Sequence, residues 1–301
     1  MSNDINKQKT QETLELLNQA VADMFTSEKY LQYLNFMSSM HQYSVRNLIL
    51  CFFQRPDVSC IGSFSFWKKQ DFHIKKGEHG KRIFAPIKCS GYRTVVKDNG
   101  DSDTEEYTYV RFKPVFVFDV AQTVEGAAAL PKLVTVPVFS SAELDAASLR
   151  LMASGDGKYT FDDALSSSSA NGFFCPTTGE IHVASNLAPG ANPDGGTSAM
   201  LLRVLLHEKA HELLHGKQDN TSRDMCELEA ESAAYCVCRR ILANSDALSA
   251  ITAEYSVGYL ASWADNREAP LDALIRSVDR ISAATEQLTE WVVSVGKLAI
   301  E

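Results

Sequence analysis

Met200-Leu-Leu-Arg-Val-Leu-Leu-His-Glu-Lys-Ala-His-Glu-Leu-Leu-His-Gly216 carries apolar residues at helical spacing, with Leu201, Val204, Leu205 and Leu214 set around His207, Glu208 and His211. Residues four apart on a helix lie about 40° apart around its axis, so the imidazoles of His207 and His211 can aim at one point. Glu208, turned about 100° from His207, misses that point but reaches a water held beside it. The spacing His-Glu-x-x-His therefore predicts a Zn2+ ion on His207 and His211, with Glu208 as the general base. Two histidines and a glutamate among apolar neighbours are costly to bury without such a partner. Gly216 follows as a C-cap and closes the helix after His215.

A catalytic zinc site takes three protein ligands and leaves a fourth position for water. The third ligand is sought downstream, in Arg223-Asp-Met-Cys-Glu-Leu-Glu-Ala-Glu-Ser-Ala-Ala-Tyr-Cys-Val-Cys-Arg-Arg-Ile241, where Glu227, Glu229 and Glu231 follow one another at every second position. A buried stripe through Ala230, Ala234, Val237 and Ile241 places Glu227 closest to the packed face and Glu231 at its margin. Glu227 is therefore the expected ligand, and Glu231 the expected partner of a metal-bound imidazole. Glu229 falls on the opposite side, where a solvated carboxylate is expected. His215 is expected to be exposed or to face substrate. The run Gly179-Glu-Ile-His-Val-Ala184 reads as a strand whose edge could pair with an extended peptide, with an ordinary solvent-facing strand histidine the equal alternative for His182.

The chain around this segment, 301 residues long, has room for two domains or one large one, and its 45% hydrophobic and 22% charged residues are those of a soluble globular protein. No apolar run approaches the roughly 18 residues of a membrane span, so no membrane partner is expected. Met1-Ser-Asn-Asp-Ile-Asn-Lys-Gln-Lys-Thr10 lacks a basic region followed by an apolar core, which gives the expectation of a cytoplasmic protein. Seven cysteines without zinc-finger spacing fit reduced thiols better than a disulfide framework. The net charge of -9 is unevenly spread: residues 1–125 hold 16 basic and 15 acidic residues, and Arg55 to Lys97 alone holds 10 basic and 3 acidic. Such a local excess of cations points to an anionic partner at that place.

In chain order, Leu14, Leu17, Val21, Met24 and Phe25 predict a first helix, Ser27 caps a second, and Ser44 caps a third that ends before Pro56. From Ser63 the pattern turns strand-like and basic, with Gly77 and Gly80 as turn points for a β-hairpin, and Tyr107 to Val120 alternates as a strand does. Residues 1–125 thus predict an α+β domain, residues 126–140 a linker, and residues 141–301 a second α+β domain holding the metal helix. Tyr259 to Trp263 and the helical stretch from Pro270 to Leu298 are expected to pack behind the site.

His207-Glu-Lys-Ala-His211 together with Glu227-Leu-Glu-Ala-Glu231-Ser-Ala-Ala-Tyr235 resembles gluzincin-type metallopeptidases, most closely the metallopeptidase domain of ArdC-like antirestriction proteins and their LtrC-like relatives. His41-Gln-Tyr-Ser-Val-Arg-Asn-Leu-Ile-Leu50, Gly62-Ser-Phe-Ser-Phe-Trp67, Lys75-Lys-Gly-Glu-His-Gly80 and Val117-Phe-Asp-Val-Ala-Gln-Thr123 resemble the N-terminal domain of the same family. The resemblance implies a single-stranded DNA-binding first domain, a zincin-like metallopeptidase second domain with an unknown protein substrate, and carriage on a mobile genetic element. The stretch His41-Gln42-Tyr43-Ser44 departs from the family's usual Asn-Tyr-Ser. Single-strand binding needs cations along the phosphates and aromatic faces for the bases. Tyr43, Ser44, Asn47, Trp67, Lys68, Lys75, Lys76, Lys81 and Arg82 are the candidates for those roles, with burial in the core the competing assignment for Trp67.

The expected function is thus that of a single-stranded DNA-binding zinc metallopeptidase-like protein in antirestriction or DNA-transfer protection. Tyr235 is a candidate to steady the oxyanion. Two rivals stand beside it: a DNA-protecting protein whose zinc only holds the fold, and a protease of the IrrE type that cleaves a DNA-bound regulator.

Overall fold

The structure, a computed structural model, describes residues 2–24, 27–40, 43–96, 102–129, 139–168, 170–191, 197–216, 221–242 and 271–298. Tyr259 to Trp263, Pro270 and most of the expected linker lie outside the described residues. Among the described residues no helix is long and apolar enough to cross a membrane. Three helices open the chain as the periodicity predicts: α1 (Ser2–Met24), α2 (Ser27–Ser39) and α3 (Val45–Gln54). Contacts divide the chain into two compact units, Met1–Ala20 with Arg46–Ala129, and Val21–Val45 with Leu130–Glu301.

The first unit is built on an antiparallel sheet of order β1-β3-β2, from β1 (Ile61–Ser63), β2 (Lys81–Val96) and β3 (Ser102–Asp119). Strands β2 and β3 form a long hairpin that runs in register from Lys81 opposite Val117 to Val96 opposite Ser102. An outer strand leaves backbone groups open to pairing with other chains. Here α3 closes the base of β2 with two side-chain amides. Asn47 donates to Phe84 O and accepts from Phe84 N, both at 2.8 Å. Gln54, two turns on, does the same for Arg82 at 2.9 Å. The strand-like run after Ser63 is instead a short helix, α4 (Phe64–Lys69). The alternation of Phe64 and Phe66 imitates a strand, but the Ser63 hydroxyl accepts from Phe66 N at 3.1 Å and starts a helical turn that carries Trp67 inward.

Much of the Lys75–Gly80 and Val117–Thr123 sequence serves this scaffold. Asp119, 1% exposed, accepts from Ser59 N, Cys60 N and Ala121 N at 2.8, 3.1 and 2.8 Å. Gln122 returns a bond to Asp119 N at 3.0 Å and donates to Glu78 and to His79 O. A buried carboxylate is tolerated because its lone pairs are taken by backbone donors.

The second unit contains α2, α5 (Ser141–Ala153), a sheet of β4 (Tyr159–Asp162), β5 (Gly172–Cys175) and β6 (Glu180–Ala184), and α6 (Ser198–His215), α7 (Arg223–Leu242) and α8 (Leu271–Trp291). Ser140 and Glu143 form a capping box that starts α5. The sheet order is β4-β6-β5, with β6 parallel to β4 and antiparallel to β5. The strand holding His182 is therefore central and paired on both sides, which overturns its assignment as a peptide-pairing edge. His182 stacks instead on the Phe173 ring at 4.6 Å.

Helix α6 packs on α5, α7, α8, β5 and β6. Ala230, Ala234, Val237 and Ile241 of α7 are buried, as their spacing predicts. Leu228, Ser232, Ala233, Tyr235, Cys236 and Cys238 are buried as well, because α2 covers a second face of α7. Tyr30 Oη and Ser232 Oγ lie 3.0 Å apart there, and the Tyr235 hydroxyl donates to Asn35 at 2.6 Å. Tyr235 is thus committed to the α2–α7 interface, and its sequence-based role at an oxyanion does not hold. All seven cysteines are free thiols.

Candidate metal centre

Histidines 207 and 211 stand one turn apart on α6, and Glu227 reaches them from the first turns of α7. Their ring centroids are 4.7 Å apart and the planes cross at 76°, so the two Nε2 atoms converge at 3.1 Å. Glu227 Oε2 lies 3.4 Å from His207 Nε2 and 3.5 Å from His211 Nε2. Donors bound about 2.05 Å from a tetrahedral zinc ion are about 3.3 Å from one another, so this triangle has the size of a three-donor face. It is the group of His, Cys, Asp or Glu donors with metal-binding spacing among the described residues. The donors fit a divalent metal, and all three expected ligands are brought together.

The electrostatics of the cluster agree with that fit. Burial alone would depress the His207 pKa, but the Glu227 and Glu231 carboxylates beside it, with Glu208, raise it to about 10. Glu227 is held well below the usual carboxylate range by its contacts with His207 and His211. A positive charge is wanted between these groups, and a proton on His207 supplies it in the metal-free chain.

Behind each imidazole stands a carboxylate pinned by an arginine. Glu231 Oε2 lies 2.5 Å from His207 Nδ1, off the line of a good hydrogen bond but close enough to orient the ring, and Arg203 pairs with Glu231. Burial raises the Glu231 pKa, and His207 and Arg203 outweigh it to bring the net value down. On the other side His211 Nδ1 lies 3.1 Å from His215 Nδ1, and His215 Nε2 lies 3.1 Å from Glu229 Oε2. Arg280 of α8 reaches the same Glu229 oxygen at 3.1 Å. Both sequence expectations for these residues are overturned: the Glu229 side chain is 2% exposed and that of His215 8%. The turn that faces Glu229 away from the metal faces it toward α8 rather than solvent.

Glu208 is 6% exposed, and burial raises its pKa to about 7, with a Phe174 backbone hydrogen bond acting the other way. It borders a cleft of about 300 Å³ lined also by Asn171, Gly172, Val204, His207 and Glu227. Gly172, the first residue of the outer strand β5, lies so close to α6 that an added Cβ would stand 2.7 Å from Val204 Cγ1 and 3.2 Å from Glu208 Cγ. The strand facing the site is therefore β5. Gly172 and Arg280 were not found by sequence reasoning. Arg203 was missed as well, although its place four residues before His207 on the same helix face was a signal that could have found it; Arg280 left no local signal.

The candidates for DNA contact separate into two groups. Lys68, Lys75 and Lys76 are exposed, while Lys81 and Arg82 are partly covered. Lys75 donates to Ala121 O at 2.9 Å, and Arg82 pairs with Glu12 at 3.1 Å. Ser44 is exposed and Tyr43 half-buried, both in the Val21–Val45 segment of the second unit. Trp67 is 1% exposed, with Nε1 donating to Phe118 O at 2.8 Å, and Asn47 spends its amide on Phe84. These two hold the scaffold. Exposed rings lie elsewhere, at Tyr92, Phe112 and Phe116 on the hairpin.

Fold and site together define a two-unit α+β protein with a hairpin-based first unit and, in the second, a helix pair that carries a three-donor cluster. Residues 3–118 match the family model ArdcN, the N-terminal domain of anti-restriction factor ArdC, and over those residues the chain is similar to that domain. An uncharacterized protein of Bacillus anthracis, pXO2-81, is 26% identical over 286 residues, covering 85% of this chain and 47% of the relative. The chain thus spans about half the length of that curated relative. The crystal structure of antirestriction ArdC protein from the R388 plasmid in its Mn(II)-bound form is similar in fold, with a TM-score of 0.52 at 16% identity over 91% of this chain and 97% of that one. The metal-free structure of the same protein gives 0.47 at 16% identity over 84% and 86%.

Proposed function

We propose that this ArdC-like chain is an antirestriction-type protein that binds single-stranded DNA through its first unit and carries a metal-dependent peptidase-like centre in its second. The observation that carries the second half is a set of three donors among the described residues, bordering a cleft with a buried carboxylate. Structural zinc is closed by four protein ligands, whereas a three-donor set leaves a position for solvent or substrate. This favours hydrolysis over a fold-holding role. His207, His211 and Glu227 would hold the ion, and two imidazoles with a carboxylate suit Zn2+. The R388 ArdC structure holds Mn(II), which supports a divalent ion here.

When bound, the ion would acidify a water and polarise a carbonyl. Glu208, bordering the cleft beside His207, would accept a proton from the attacking water at its carboxylate and pass it to the leaving amine. Arg203 and Glu231 hold the His207 ring, and the β5 backbone at Gly172 confines the approach to Glu208. The substrate is a peptide bond. Glu208→Gln keeps the metal donors and removes the proton acceptor: metal content is expected to stay and proteolysis to vanish. Cleavage retained by that variant takes Glu208 out of the mechanism.

For DNA, support comes from the β2–β3 hairpin. Phe116 opposite Arg82, Phe112 opposite Pro86, and Val110 opposite Lys88 share one face with Tyr92. On the other face Arg93 lies over the Tyr107 ring and Arg111 over Tyr109, each at 5.9 Å. Alternating cations and exposed rings offer phosphate pairing and base stacking together. In a salt-titrated single-strand binding assay, Tyr92→Ala with Phe112→Ala is expected to weaken binding and Trp67→Phe to leave it intact. The reverse pattern removes the hairpin from recognition.

A further inference from the structure

The two ligand imidazoles are supported differently. His207 meets its carboxylate, Glu231, directly, whereas a second imidazole, His215, stands between His211 and Glu229. The two ends of this second arrangement differ in what they can offer: a permanent cation at one and a metal-facing imidazole at the other. Arg280, a permanent cation with donors only, meets Glu229 Oε2 at 3.1 Å and also donates to Leu214 O at 2.8 Å. Glu229, as its carboxylate partner, has only lone pairs to offer, so the proton in the 3.1 Å contact with His215 sits on His215 Nε2. A neutral imidazole protonated at Nε2 is an acceptor at Nδ1. An imidazole that gives its Nε2 to a metal keeps its proton on Nδ1, so with the ion in place His211 Nδ1, 3.1 Å from His215 Nδ1, is the donor and His215 the acceptor. His211 is left with a bare Nε2, directed at the triangle it makes with His207 Nε2 and Glu227 Oε2.

We propose that His215 is a positioning residue that fixes His211 in the Nδ1–H form, passing to it through one intervening ring the polarity set by the Glu229–Arg280 pair. The inference rests on the metal-site reading of the preceding subsection. It accounts for a feature that a three-ligand set leaves unexplained, a half-buried histidine and a buried glutamate next to the ligands, the glutamate tied to an arginine of α8. It also ties α8 to the metal helix, because Arg280 holds the carbonyl of Leu214 beside the relay.

The test uses the full chain with Zn2+ and a competing chromophoric chelator, in wild type, His215→Phe and His215→Gln. The phenyl ring fills the space without hydrogen bonds, whereas the amide keeps one acceptor beside one donor. Zn2+ affinity is expected to fall about 10- to 100-fold in His215→Phe and to be largely kept in His215→Gln. Equal affinity in all three, or equal losses in both variants, overturns the proposal. Nitrogen-15 NMR of histidine in the metal-free wild type gives a second readout that needs no variant to fold: His211 is expected as the Nδ1–H tautomer, and an Nε2–H signal overturns the relay. A wild type that binds no Zn2+ would instead sink the metal reading, and the tautomer measurement would still decide the relay.

Discussion

Metal binding by this chain should compete with a single identifiable proton. In the metal-free protein His207 is raised to about 10 by Glu227, Glu231 and Glu208, against a burial effect of opposite sign. Its Nε2 must be bare to serve as a ligand. At pH 7 only about one chain in a thousand then has His207 deprotonated, which costs the ion about 4 kcal/mol of apparent affinity. Glu208, near 7, is ionised above that pH, so the window from about pH 7.5 to 9.5 isolates His207. There the apparent Zn2+ affinity is expected to rise about tenfold per pH unit, with close to one proton released per ion. Calorimetry in buffers of differing ionisation enthalpy counts that proton, and chelator competition gives the slope. Glu231→Gln removes one of the carboxylates that raise His207, so its curve should level off at lower pH. A wild-type affinity flat across this window, or binding without proton release, refutes the electrostatic description of the cluster.

The same group makes metal-free stability depend on pH with a definite sign. His207 has a folded-state pKa above its ordinary 6.5, so its contribution is complete below about pH 6.5 and is lost as the pH rises through 10. Denaturant unfolding of the metal-free chain should show a loss of up to about 4 kcal/mol between pH 7 and 10, and a flat profile there would contradict it. Gly172→Ala should destabilise the protein by about 1–3 kcal/mol and impair the site, because the new methyl meets Val204 Cγ1 at 2.7 Å and Glu208 Cγ at 3.2 Å. An unchanged midpoint would mean β5 is free to withdraw from α6. Asn47→Ala leaves the Phe84 N–H and C=O without their partners, so a loss of about 2 kcal/mol is expected, with Zn2+ affinity unchanged. A cost below measurement would show that water replaces the amide.

What could be read from the sequence follows from where the determining interactions lie. His207, Glu208 and His211 share one helix, and a period of 3.6 residues fixes their relative directions, so the spacing alone places them. Glu227 followed from the stripe through Ala230, Ala234, Val237 and Ile241, which is buried as that spacing requires. The same stripe misled for Glu229, because periodicity reports one packed face and α7 has more, with α2 and α8 also against it. Arg280 lies 51 positions beyond Glu229, so their ion pair is a tertiary event that leaves no local pattern. His182 failed for a related reason: alternation identifies a strand but not its place in a sheet, and the order β4-β6-β5 puts it in the middle. In the first unit the strand from Tyr107 was legible in its alternating Val, Phe and Tyr, but the hairpin expected at Gly77 and Gly80 was not formed there: Lys81–Val96 pairs with Ser102–Asp119 instead, and the α4 turn was decided by one Ser63 cap.

The account stands or falls on an ion between α6 and α7. Crystals grown with Zn2+ and measured at the zinc absorption edge test it most directly. One anomalous peak is expected, within about 2.0–2.2 Å of His207 Nε2, His211 Nε2 and Glu227 Oε2, with solvent in a remaining position. An empty triangle at full Zn2+ occupancy elsewhere, or a peak held by Glu229 in place of Glu227, would contradict it.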